Sequence, residues 1–143
     1  MTPLQLEQSI RQGIPLSAQM DFRVIQLTPT SIQVSGAAEP NINVHGTAFA
    51  GSLYAVCTLA AWGLVTSRLP DNASLVMAEA DIRYRRPVKG DILADCEISA
   101  TDMQGFLHTL HDTGKARLEA KVQVPCDGKL AAEFSGILYA KTD

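Results

Sequence analysis

From Ala48 to Val65 the chain reads AFAGSLYAVCTLAAWGLV, without a formal charge and with apolar residues at every angle around a helical axis. Phe49, Leu53, Tyr54, Val56, Leu59, Trp62, Leu64 and Val65 do not fall on one stripe. A surface helix shows a single apolar stripe, whereas a helix apolar all round has to be enclosed. As a helix this run is about 25 Å long, enough to cross a small domain. The fold is therefore expected to be built around one swallowed helix.

A bilayer would also enclose such a segment. The charge-free stretch extends from His45 to Ser67, long enough to span. Against this, Gly46, Thr47, Gly51, Ser52, Thr58, Gly63 and Thr66 lower its hydropathy, and no Lys/Arg cluster flanks one side. The segments after it alternate apolar and polar residues as strands of a soluble protein do. Protein enclosure is the expectation.

The rest of the chain supplies the enclosure. Thr2-Pro3-Leu4-Gln5 has the capping-box pattern of a helix start, and Gly13 followed by Pro15 ends a short peripheral helix bearing Leu6 and Ile10 on one face. Met20 to Leu27 and Ser31 to Ala37 alternate on either side of Thr28-Pro29-Thr30, which predicts a hairpin. Ala38 to Thr47 is a loop. Beyond Pro70-Asp71-Asn72, alternation predicts a long strand with Ser74, Val76, Ala78, Ala80, Ile82 and Tyr84 on one face. Met77, Glu79, Asp81, Arg83 and Arg85 take the other. Ile92, Ala94, Cys96, Ile98 and Ala100 line the next strand. An amphipathic turn or two from Thr101 to Gly114 follows, then strands over Ala116–Val124 and Lys129–Ala140 joined at Cys126-Asp127-Gly128. One enclosed helix and about six one-sided strands predict an α+β fold in which an antiparallel sheet curls over the helix. Exposed sheet edges predict pairing with a second copy, a homodimer at least.

At 143 residues the expectation is one domain spanning 1–143, and 46% apolar with 19% charged residues is ordinary globular usage. A net charge of -3 without a long basic run gives no reason to expect nucleic acid. Cys57, Cys96 and Cys126 are odd in number and widely spaced, so free thiols in a reducing compartment are expected. The first residues, MTPLQLEQSIRQG, lack the basic start and apolar run of a secretory signal, and a cytoplasmic protein is the simplest expectation.

The residues that carry chemistry cluster before the helix: Asn41, Asn43, His45, Gly46, Thr47, Ala48, Phe49, Ala50 and Gly51. Polar and small residues meet a helix N-terminus, where unpaired amides can face developing negative charge. Attack on a thioester carbonyl creates an oxyanion, and amides aimed at it are usually the largest catalytic contribution. Ala50 and Gly51 are small enough for a carbonyl to approach their backbone.

The segment Asn43-Val-His45-Gly-Thr-Ala-Phe49-Ala-Gly51-Ser-Leu53 resembles the loop-to-helix segment of hotdog-fold acyl-CoA thioesterases, in which an Asn precedes a His-Gly-Gly sequence. The whole chain is similar to the thioesterase-like domain found in bacteria alone or fused behind an acetyltransferase domain. Asn41 to Trp62 carries most of the likeness, and Tyr84-Arg-Arg-Pro87 matches a Tyr-x-x-Pro turn common in these folds. The resemblance implies a hotdog fold and hydrolysis of an acyl thioester at a cleft between subunits. No cofactor is implied beyond the coenzyme A or acyl carrier protein that brings the substrate. This chain departs from the pattern: Phe49 stands where the thioesterases have His, Ala50 at their first Gly, and Thr58 at their catalytic Asp or Glu. Met77 falls near the Ser or Thr that some relatives use.

Replacements are available. Ala50 and Gly51 are the expected carbonyl clamp, with Asn43 and His45 as polar partners and Thr47 or Thr58 adding hydrogen bonds; an imidazole takes a proton near neutral pH. The same Asn43 and His45 also read as turn-formers and caps. Glu79 and Asp81 are candidate carboxylates, and a hydratase or dehydratase would need Asp81 close to His45. Arg83, Arg85, Arg86 and Lys89 either grip the phosphates of coenzyme A or an acidic carrier protein, or form a solvated strand end. His108 and His111 share a helix face without a ligand set for metal, and no metal is expected. Cys57 reads as core rather than nucleophile, and Tyr54 and Trp62 as core or tunnel lining. With Thr58 in the acid's place, a module that binds acyl thioesters without cleaving them is the non-enzymatic alternative.

Overall fold

The apolar run forms helix α3, Ala50–Thr66, beginning two residues later than the run itself, with Phe49 as its N-cap. The computed structural model describes residues 1–143. Before α3 come α1 (Pro3–Gly13), α2 (Pro15–Gln19), β1 (Arg23–Leu27) and β2 (Ser31–Gly36). After it come β3 (Ala73–Tyr84), β4 (Ile92–Glu97), α4 (Ala100–Thr113), β5 (Lys115–Cys126) and β6 (Lys129–Thr142). The six strands make one antiparallel sheet in the order β1-β2-β4-β5-β6-β3. Helix α3 packs against every strand from β2 to β6, which is the expected sheet-around-helix arrangement. No helix is long and apolar enough to cross a membrane.

Local chemistry explains the frame. Thr2 and Gln5 form the reciprocal capping box that starts α1, and Leu6 and Ile10 turn inward. Pro15 ends α1, as expected, but also opens the short α2, because proline suits the first helical turn as well as it blocks a later one. Gly63 lets α1 and β2 close on α3: a Cβ there would lie 3.3 Å from Ile10 Cδ1 and 3.6 Å from Ile32 Cδ1. The amphipathic stretch after β4 is a full helix rather than a turn or two. Ser99 caps it through the Asp102 amide, Met103, Phe106 and Leu110 are buried, and Gly114 ends it at φ 78°. Ala100, expected on strand β4, is therefore the first residue of α4.

Strand β3 departs most from simple alternation. Its register with β6 shifts between Met77 and Glu79, so Ala78 is an extra residue in a bulge that reverses the pleat. Paired residues share a sheet face. Leu75 and Met77 face inward opposite Ala140 and Leu138, and beyond the bulge Ala80, Ile82 and Tyr84 do so opposite Gly136, Phe134 and Ala132. Val76, expected on the face of Ala80 and Ile82, is 56% exposed, and Met77, expected on the face of Glu79 and Asp81, packs on the core. Glycine at 136 leaves room for the Met77 side chain beside the bulge, since a Cβ there would sit 2.6 Å from Met77 Sδ. The bulge thus carries Tyr84 to the inner face and leaves Glu79, Asp81 and Arg83 on the outer one.

Candidate active site

Two asparagines shape the entry to α3. Asn41 is buried in the turn Glu39–Asn41; its side-chain amide donates to Met20 O (2.9 Å) and Ala37 O (2.7 Å), and its own carbonyl accepts from Phe49 N (2.8 Å). Asn43 closes the next turn. Its side-chain oxygen accepts from the amides of His45 (2.8 Å) and Thr47 (3.1 Å), and its amide donates to Thr47 Oγ1 (3.0 Å) and Ala48 O (3.3 Å). This is an Asx turn, completed by Gly46 at φ 79°. Asn43 and Thr47 are thereby committed to the loop, while His45 stands exposed at its tip with only its backbone bonded. Ala48 N donates to Val88 O (2.8 Å), tying the loop to the turn after β3.

This loop delivers a helix start with nothing on its amides. The N-cap is Phe49, whose side chain cannot accept a hydrogen bond, and the amides of Ala50, Gly51 and Ser52 meet no acceptor in the chain. Ala50 and Gly51 are exposed. The Phe49 ring lies against Gly51: a Cβ at 51 would be 2.5 Å from Phe49 Cε2. The helix start thus presents an apolar wall beside three free donors.

Tyrosines flank that wall. Tyr84 donates its hydroxyl to Ala50 O (2.8 Å), and Tyr54 reaches Ala80 O at 3.5 Å while its ring meets Phe134 edge-on with centroids 5.4 Å apart. Burial raises the Tyr84 pKa above its ordinary value, with further pushes from Cys57 and Tyr54. Thr58 donates its hydroxyl back to Tyr54 O (2.9 Å). Burial, and to a lesser degree Cys96, pushes the Cys57 thiol up to about 12, which makes it a core residue and no nucleophile at neutral pH. Trp62 is fixed by donating Nε1–H to Leu75 O (2.9 Å).

The four cations part company. Arg83 lies on the outer face of β3, and Arg85 forms a forked pair with Glu133 (3.1–3.2 Å), also outside. Arg86 and Lys89 have no carboxylate partner and sit on the turn that Val88 fastens to the loop. Glu79 and Asp81 line an outer depression with Glu119 and Ser135, so the sheet stands between Asp81 and the helix start of the same chain. His108 and His111 are exposed beside Asp112 on α4. Tyr84, which the sequence marks only as part of a strand and a turn, joins the site through the fold. The Tyr84–Ala50 bond joins positions 34 apart and leaves no local signal.

A protein-family profile described as "Putative thioesterase (yiiD_Cterm)" matches residues 4–141. The chain belongs to this family. Among solved structures it is similar to a "putative thioesterase" from Shewanella oneidensis, at 33% identity and a TM-score of 0.83 over 99% of this chain and 97% of that one. A protein of unknown function from Chlorobaculum tepidum TLS matches at 25% identity and a TM-score of 0.90, covering 99% and 98%. One from Pseudomonas aeruginosa, with a TM-score of 0.86 at 22% identity and coverage of 99% and 97%, shares the fold. The fold is the hotdog fold of this thioesterase family, and the free helix start lies in the segment that carries the family's resemblance.

Proposed function

We propose that this chain hydrolyses an acyl thioester of coenzyme A or acyl carrier protein at the start of α3. The observation that carries the reading is the row of unpartnered amides at Ala50, Gly51 and Ser52, in a member of a thioesterase family. The thioester carbonyl oxygen lies on the Ala50 and Gly51 amides. Water attacks the carbonyl carbon, the oxyanion forms on those amides, and its collapse breaks the C–S bond. His45 takes the proton of the attacking water and returns it to the departing thiolate. Asn43 holds the loop that presents His45. Thr58, whose hydroxyl hydrogen is already given to Tyr54 O, offers that water a lone pair only. Arg86 and Lys89, free and beside the loop, meet the phosphates of the carrier, while Arg85 stays engaged with Glu133 on the outer face.

A second copy completes the cleft in this reading. β3 is an edge strand, and Phe49, Tyr54, Val76 and Tyr84 expose large apolar surface on or beside it (55%, 37%, 56% and 48%). Pairing of two β3 edges would cover both the edge and that surface. The cytoplasm, reducing and rich in acyl thioesters, is the compartment this chemistry implies.

Thiol release by the purified protein over acyl-CoA and acyl-carrier substrates of graded chain length tests the proposal, with His45→Ala and Asn43→Ala beside the parent. No release from any thioester rejects the hydrolase. Phe49 and Thr58, standing where the hotdog acyl-CoA thioesterases that the segment resembles have an imidazole and a carboxylate, favour one rival: a module that binds acyl thioesters without cleaving them. Tight binding by calorimetry with no turnover would establish that rival.

A further inference from the structure

The peptide group between Ala50 and Gly51 has one polar atom partnered and the other free. The bond is trans, so its C=O and N–H point in opposite directions. The Ala50 oxygen accepts the Tyr84 hydroxyl at 2.8 Å, while the Gly51 N–H on the far side has no acceptor. In a regular helix that oxygen already accepts an amide from one turn further on. The Tyr84 bond is therefore surplus to the helix's own satisfaction and calls for another explanation.

Donation to a peptide oxygen draws electron density from the nitrogen and strengthens the N–H on the other side as a donor. Hydrogen bonds in series reinforce one another in this way. Position also matters. Gly51 has no Cβ to restrict its φ, so the preceding peptide plane is free to tilt unless something holds it. Tyr84 holds it by the oxygen, and the Phe49 ring lies beside Gly51. The bulge at Ala78 places Tyr84 for this task by turning it inward.

We propose that Tyr84 is a positioning residue, which acts through the Ala50 carbonyl to aim and polarise the Gly51 N–H that receives the thioester oxygen. This rests on the thioester reading above, and the chain Tyr84 O–H, Ala50 C=O, Gly51 N–H, substrate C=O is a single relay.

The test compares the full-length parent with Tyr84→Phe, which keeps the ring and removes only the hydroxyl. The Gly51 amide nitrogen and proton resonances should move while those of Ala60, deep in α3, stay fixed. Turnover should fall about tenfold in kcat, well short of the hundredfold or more that losing the amide itself would bring, with KM within about twofold. Unchanged kcat, or unchanged Gly51 resonances, overturns the relay. If Tyr84→Phe folds poorly, 3-fluorotyrosine at position 84, a stronger donor while protonated, should shift the Gly51 resonances in the opposite sense at pH 6.5; no shift overturns the relay. Should the parent cleave no thioester, the hydrolase reading fails by itself. The carbonyl stretch of a bound acyl-CoA ketone analogue, with a methylene between carbonyl and sulfur, then decides the relay. A lower frequency on the parent than on Tyr84→Phe supports it; equal frequencies, or no binding, reject it.

Discussion

The two ends of helix α3 differ in how they treat their own backbone. At the rear, the carbonyls of Gly63, Leu64, Val65 and Thr66 each receive a donor: Ser67 N, Ser67 Oγ, Arg68 N and Leu69 N. The side chains there are buried from Leu59 to Ala61 and from Gly63 to Val65. At the front, three amides are left bare, the cap is a phenylalanine, and Ala50, Gly51 and Tyr54 are exposed. A protein built only for stability would cap the front with Ser, Thr, Asp or Asn, worth about 1 kcal/mol. Leaving it uncapped beside small residues fits a site kept open for an outside acceptor. The rear is specified by packing and the front, in the proposed reading, by what it binds.

The sharpest way to break that contrast is to cut the rear. Leu64 is fully buried, so Leu64→Ala should cost about 2–5 kcal/mol of stability, from lost burial and the cavity left behind. Thermal and urea unfolding read this directly, and a loss below about 1 kcal/mol would show the rear to be loosely packed. Turnover per folded molecule should change little.

Gly51→Val should do the reverse. Its Cβ would meet one edge of the Phe49 ring, at 2.5–3.2 Å, and that ring is half exposed and can swing aside. The fold should shift by less than about 1 kcal/mol, since valine is also the better helix former. A branched side chain over the open amides should nevertheless lower kcat/KM by about a hundredfold. Activity that survives with stability lost would reverse the roles assigned to the two ends.

How legible these ends are in the sequence follows from what each depends on. The rear rests on composition: a run apolar all round, such as Leu59 to Val65, demands enclosure wherever its partners come from. The front rests on particular hydrogen bonds. Asn43 and Gly46 announce a turn, but nothing local tells that the Asn43 side chain is consumed by His45, Thr47 and Ala48. The bulge at Ala78 is silent, because alanine suits either face and alternation continues on both sides of it. With the bulge hidden, Val76 and Met77 exchange faces, and the bond from Tyr84 to Ala50 has no signature at all.

Alkaline pH sharpens the comparison at the helix's midpoint. Burial raises Cys57 on α3 and Cys96 on β4 from 9.0 to about 12. The folded state holds their protons where the unfolded chain has released them. Their contribution is thus fully present below pH 9 and is lost as pH rises through about 12. Each should lower stability by roughly 1 kcal/mol per pH unit in that window. Denaturant midpoints measured from pH 8 upward should fall steeply for the parent and less steeply for Cys57→Ala. Parallel curves would mean that this thiol is not held neutral by its surroundings.

The smallest effects belong to the cations beside the front end, and their difference separates binding from structure. Arg85 is held by Glu133 on the outer face, whereas Arg86 and Lys89 are unpaired on the turn that Val88 O fastens to Ala48 N. A surface ion pair contributes about 0–1 kcal/mol, so Arg85→Ala should change stability slightly and KM hardly at all. Arg86→Ala and Lys89→Ala should leave stability alone and raise KM for coenzyme A substrates about threefold to tenfold each, an effect that salt diminishes. Because phosphate contacts lie far from the reacting carbonyl and are made equally before and during reaction, kcat should stay constant. Rates on an acyl-pantetheine lacking the nucleotide should then be insensitive to both variants. An equal rise in KM on that truncated substrate would move Arg86 and Lys89 from carrier recognition to support of the loop that opens α3.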